Sequence, residues 1–201
     1  MMAFAGLREK LDAFPQEVKT FLLRSFVLFV LWKSLYIFYL GYERILDKPL
    51  TNTVGAHTAW VLNFFSTEKI FSSRQLISIR EFEGQYQVAP VSLVEKRGEK
   101  LLGIADGCNG LELFILYIGF LIAMPAALKR KTLFFIAGAI LIHLVNILRC
   151  VGLCVLAMNA SVHFDFAHHY LFKIMVYGTI FLLWVQFMRG VSMKKKTDAD
   201  V

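Results

Sequence analysis

The feature that most constrains this chain is the run from Leu133 to Met158, 26 residues in which His143, Asn146 and Arg149 are the strongly polar side chains. A helix crosses a bilayer with roughly 20 apolar residues. Comparable runs lie at Phe21 to Tyr42, Leu111 to Leu128 and Phe166 to Met188. Soluble domains break such runs sooner and carry more charge than the 18% found here. The expected fold is therefore an all-α membrane protein of about four transmembrane helices, read as one integral-membrane domain over 1–201. The stretch 50–65 is apolar but short, holds His57 and Asn63, and reads as an interfacial or re-entrant helix. Met1 to Lys19 is a short amphipathic lead-in. The apolar stretch after it is too long for a cleaved signal peptide, and no small-residue cleavage site follows.

Between about 75 and 106 the pattern changes to alternation rich in β-branched residues, "LISIREFEGQYQVAPVSLVEK". Glu83-Gly84 and Arg97-Gly98 are turn signals within it. A β-hairpin or three-strand meander is expected. Open strand edges do not lie in lipid, so this segment belongs outside the bilayer.

Charge supplies the orientation. A net charge of +7 would suggest nucleic acid for a soluble chain, but here its plainer use is at a membrane, and no nucleic-acid partner is expected. Basic residues collect at the cytoplasmic ends of spans and are drawn to anionic lipid. The connection Lys129-Arg130-Lys131 and the tail Lys194 to Lys196 are basic, whereas 159–167 has no Lys or Arg. That asymmetry puts both termini and the 129–131 turn in the cytoplasm. The β-rich segment and Cys108 then lie on the outer side.

With this topology, residues of complementary chemistry reach one level. Cys108 stands at the outer start of one span. Arg149 lies sixteen residues past Leu133, about 24 Å up a helix at ~1.5 Å per residue, in the outer third of a core of about 30 Å. His168 and His169 open the last span. An arginine at a span end commonly snorkels, but Arg149 is followed by mostly apolar residues. Its placement costs at least about 2.5–3.5 kcal/mol on insertion scales, which favours a site facing the bundle interior. Asn146, one turn earlier, is placed to bond the guanidinium or a substrate carbonyl. Cys108 has Gly107 and Gly110 beside it and a helix N-terminus after it, a setting that favours thiolate over a packing thiol. Asp106 and Glu112 oppose that charge unless a cation compensates. Cys150 and Cys154 lie within a span, one turn apart, and read as small apolar residues. Three cysteines do not make a disulfide framework. His143, mid-span, reads as a packing or hydrogen-bonding residue. Lys33, also mid-span, needs a partner, for which Glu112 is a candidate.

These residues resemble the exosortase/archaeosortase family of integral-membrane cysteine peptidases, in its compact variants. The resemblance rests on "DGCNGLELF" before a span, "NILR" within the next, and "FDFAHHYLFKIMVYGTIF" opening the last, together covering about 100–188. The chain departs from the family pattern at Asn109, where Ser is common, and at Lys173, which replaces a Gly. The resemblance implies catalytic roles for Cys108, Arg149 and His169, with His168 the alternative histidine and Asn146 in support. It implies no cofactor and no metal. It also implies membrane-anchored protein substrates with a C-terminal sorting tail, cut on the extracytoplasmic side of the cell membrane, with hydrolysis and transpeptidation both open. Two rival readings remain at this level. One is a transporter or assembly subunit using Arg149 and Lys33 for ions or lipid headgroups. The other is a haem or quinone protein using His143, His168 and His169, disfavoured because adjacent histidines on a helix face different directions.

Overall fold

The computed structural model describes residues 15–41, 44–82, 85–159 and 162–197. The expected turn at Glu83-Gly84 and most of the N-terminal lead-in lie outside them. Helix α1 (Gln16–Leu35) runs into a π-helical turn, Tyr36–Leu40, and helix α2 (Asp47–Phe65) follows. Strands β1 (Phe71–Phe82), β2 (Gln85–Lys96) and β3 (Glu99–Ala105) precede a 3-10 turn at Asp106–Cys108. Helices α3 (Leu111–Ala123) and α4 (Leu128–Met158) come next. A short α5 (Phe164–Phe166), a π-helical turn (Ala167–Leu171) and α6 (Phe172–Thr197) then succeed one another directly.

Among the described residues, three helical segments are long and apolar enough to cross a membrane: Val18–Leu40, Leu128–Met158 and Phe164–Arg189. The expected span over 111–128 differs. Its helix stops at Ala123, and its 13 residues reach only about 20 Å at ~1.5 Å per residue. The cause is local. Pro125 disfavours helical backbone at the residue before it, and Met124 is extended at φ −74°, ψ 136°. Lys131 then donates to the Ile122 carbonyl at 3.1 Å, satisfying one of the orphan acceptors at the end of α3. Arg130 bonds the Phe187 carbonyl at 2.8 Å and lies over the Phe134 and Phe187 rings. The basic turn thus closes the end of α3 and braces α6 as well as carrying charge.

The strands form the antiparallel meander β1-β2-β3. Arg97 and Gly98 join β2 to β3 with φ of 52° and 85°. Two left-handed residues in a two-residue loop match the twist of the strands, so the turn signal at Arg97-Gly98 corresponds to a turn. The segment 50–65 is helical within α2, which begins three residues earlier at Asp47. Asn63, near the end of that stretch, exchanges two hydrogen bonds with the Phe71 backbone, at 2.7 and 2.9 Å. It pins the start of β1 to the end of α2.

Two apolar clusters hold the chain together. In one, Val54 and Leu62 of α2 meet Val94 and Ile104 of the sheet and Cys150 and Cys154 of α4. Both cysteines are buried there as small apolar groups. In the other, Tyr117 and Leu121 of α3 pack with Ile142 of α4 and Ile180 and Phe187 of α6. Tyr117 is fully buried and donates to the Phe134 carbonyl at 2.7 Å. This contact needs glycine opposite, because a Cβ at Gly138 would overlap the Tyr117 ring. Gly138→Ala should lower the thermal midpoint in detergent, with overpacking costing about 1–3 kcal/mol. Gly119→Ala, where a Cβ meets no atom within 4 Å, should leave the midpoint unchanged or raise it slightly.

Candidate active site

Strand β3 delivers the chain into the 3-10 turn that carries Cys108, and α3 starts directly after it. Gly110, at φ 89°, makes the reversal that a residue with a Cβ would resist. Asn109, one residue before the Gly110 N-cap, makes an Asx-type turn into the new helix, its Oδ1 accepting from the Leu111 N–H at 2.8 Å. The two glycines beside the cysteine differ: Gly110 abuts Asn146, whereas Gly107 faces open space. Close approach therefore explains Gly110 only.

The turn is met by α4. Arg149 Nη2 lies 3.3 Å from Cys108 Sγ, and Asn146 Nδ2 donates to the Cys108 carbonyl at 3.2 Å. Asn146 holds the cysteine's backbone and does not bond the guanidinium. Its Oδ1 and Arg149 Nε are buried without a hydrogen-bond partner among the described residues. Buried polar atoms are normally bonded, so an acceptor and a donor stand ready beside the thiol.

A cavity of about 200 Å³ opens on this contact, lined by Cys108, Arg149, His168, His169, Lys173 and Glu112 among others. Both histidines border it from the π-helical turn Ala167–Leu171. His169 is the more exposed of the two, so neighbours on this turn face differently and still share one cavity. His168 stacks on Phe164 with centroids 6.1 Å apart and meets the His169 ring edge-on at 4.8 Å. Among the described residues, neither imidazole hydrogen-bonds the sulfur.

A second layer of polar residues reaches the turn from α2 and the end of the first span. Arg44 donates to both oxygens of Asp106, at 2.7 and 2.6 Å. That bond raises the Arg44 guanidinium further above its ordinary range. Thr51 donates to Asp106 Oδ1 at 2.8 Å, so Asp106 beside the thiol is compensated by Arg44. Asn109 Nδ2 donates to Asp47 Oδ1 at 2.9 Å and approaches Thr51 Oγ1 at 3.1 Å. Tyr36 donates to Asp47 Oδ2 at 2.8 Å. Arg44, Asp47, Thr51 and Tyr36 escaped the sequence reading. Asp47-Lys48-Pro49 signals a helix start, but nothing local links Asp47 to a residue 62 positions away.

Of the remaining polar residues in the helices, His143 hydrogen-bonds His57, Nε2 to Nδ1, at 2.9 Å, as befits a hydrogen-bonding residue. Lys33 and Glu112 line one cavity of about 260 Å³ but form no ion pair within 4.0 Å among the described residues. Among those residues no group of three or more His, Cys, Asp or Glu is arranged to hold a metal ion.

The Arg44–Asp106 pair is two-pronged and only 27% exposed on each side chain. A double-mutant cycle with Arg44→Ala and Asp106→Ala should return a coupling of about 1–2 kcal/mol in unfolding free energy. A coupling near zero would mean that the pair is a surface contact of no consequence.

No curated protein and no solved structure matched the chain. A family model did: transmembrane exosortase (Exosortase_EpsH) matches residues 17–186, a range that begins in α1 and takes in the Cys108 turn, α4 and both cavity histidines. On that match, which covers most of the chain, this protein belongs to the transmembrane exosortase family.

Proposed function

We propose that the chain is a membrane-embedded cysteine endopeptidase or transpeptidase that cuts the C-terminal sorting tails of exported, membrane-anchored proteins on the extracytoplasmic side. The observation that carries this reading is the 3.3 Å contact between a guanidinium and a thiol in a cavity also bordered by two imidazoles. The thiolate is the attacking form of cysteine, and a charge-assisted hydrogen bond from Arg149 suits it.

In this mechanism a cavity histidine, His169 in our assignment and His168 as the alternative, takes the Cys108 proton. The sulfur attacks the scissile carbonyl and forms a tetrahedral adduct. Arg149 turns toward the new oxyanion, with Nε as a donor that has no other partner among the described residues. When the adduct collapses to a thioester, the imidazolium gives its proton to the departing amine. Water or an acceptor nucleophile, deprotonated by the same histidine, then opens the thioester and restores the thiol. Asn146 keeps the cysteine in place through its carbonyl.

For the topology we propose cytoplasmic termini and a cytoplasmic 129–131 turn. Arg149 is 21 residues past Leu128, the start of α4, about 32 Å at ~1.5 Å per residue, which matches the far edge of a core of about 30 Å. In this topology the short α3 and the residues 124–127 after it carry the chain from the outer side to the basic turn.

Cys108→Ala should abolish processing of a co-expressed membrane protein bearing such a tail, and Arg149→Gln should slow it about 100-fold or more. His169→Gln should match the cysteine variant, while His168→Gln retains activity; the reverse pattern would move the role to His168. A cysteine placed at Lys129 should resist a membrane-impermeant thiol reagent in intact cells. Labelling there would invert the topology and remove the outward-facing site.

A further inference from the structure

The Cys108 turn is anchored on two sides. Arg149 and Asn146 hold it from α4. On the other side stands a carboxylate with no apparent business there. Asp47 is 3% exposed, and among the described residues no cation lies within 4.0 Å of it. A buried carboxylate without a counter-ion needs several good donors. Asp47 sits in the first turn of α2, where an acid usually serves its own helix dipole. Its oxygens go elsewhere, one to the Tyr36 hydroxyl and one to Asn109. Asn109 is the residue after the cysteine and is 1% exposed, as is Thr51.

Two departures from regular backbone serve this arrangement. Arg44 is left-handed at φ 51°, a conformation that costs energy for a residue with a Cβ and that accompanies function more often than chance. Its guanidinium ends on both oxygens of Asp106, two residues before the cysteine. Tyr36 opens the π-helical turn Tyr36–Leu40 at the end of the first span, and such bulges recur at functional sites.

We propose that Asp47, together with Tyr36, Arg44 and Thr51, is a positioning clamp that fixes the Cys108 turn against Arg149, so that the first span and α2 set the geometry of the reacting thiol. These residues touch neither sulfur nor cavity chemistry directly. They act through Asn109 and Asp106, on either side of Cys108. The clamp rests on the reading of Cys108 as nucleophile, but it can be tested without turnover.

The test compares alkylation of Cys108 by anionic iodoacetate and neutral iodoacetamide in the full-length protein in detergent, read on the Cys108 peptide by mass spectrometry. A cation held against the sulfur favours the anionic reagent, so the rate ratio reports the Arg149 contact. Arg149→Gln should set the floor, lowering the ratio about threefold or more. Asp47→Ala and Thr51→Val should each move the ratio most of the way to that floor. The exchange Asp47→Asn with Asn109→Asp keeps one carboxylate and one amide facing each other and should recover at least about half of the loss, a rescue that a merely destabilised protein would not show. Thermal midpoints measured alongside identify folded variants, and if Asp47→Ala does not fold, Thr51→Val decides. A folded Asp47→Ala or Thr51→Val protein with the wild-type ratio overturns the clamp. A Cys108→Ala enzyme that still processes its substrate would instead remove the nucleophile assignment, leaving the measured ratio as it was.

Discussion

A guanidinium deep in an apolar helix must find a partner, and the arrangement of this protein follows from where Arg149 finds one. A charge set among apolar side chains is costly unless it is paired. The partner is the Cys108 turn, whose sulfur lies 3.3 Å away and whose carbonyl is held by Asn146 on the preceding helical turn. For the turn to reach α4, β3 must end and α3 begin at this level. The meander and the left-handed Gly110 both serve that meeting.

The site is assembled from separate pieces of chain, each rigid for its own reason. The α4 residues are fixed by packing in both apolar clusters. The histidines border the cavity from a π-helical turn. The cysteine is carried on a short reversal that would be weak alone, and the polar layer from α2 stiffens it from behind. Asp106, the nearest negative charge in sequence, is engaged by Arg44 and Thr51, so it is the Arg44 guanidinium that offsets it and Arg149 is left to the sulfur. The charge problem visible in the sequence beside the thiol thus has its answer in a residue from another element.

Much of the framework was legible in the order of residues. Three long apolar helices, a helix over 50–65 and a small antiparallel sheet ahead of Cys108 follow from hydropathy length, alternation and turn chemistry, which are local properties. The fourth expected span was overextended because apolar content continues through 124–128 while Pro125 breaks the helix. The pre-proline restriction is itself a sequence rule, but hydropathy alone overlooks it. Which cavity the adjacent histidines border was not legible for a different reason. That depends on what packs against the last helix.

The sequence by itself determined which residues could carry chemistry: a thiol at a helix start, an arginine and asparagine one turn apart in an apolar run, and a histidine pair at the mouth of the last span. Each is conspicuous because its polarity or reactivity is out of keeping with its surroundings. Tertiary structure decided which partners they have. The Asp47 carboxylate facing Asn109, the Arg44 fork on Asp106 and the Tyr36 hydroxyl on Asp47 join positions far apart in the chain. Hydrogen bonds of that kind leave no periodicity behind, because they depend on how the helices and the sheet pack and not on the spacing of residues within any one of them.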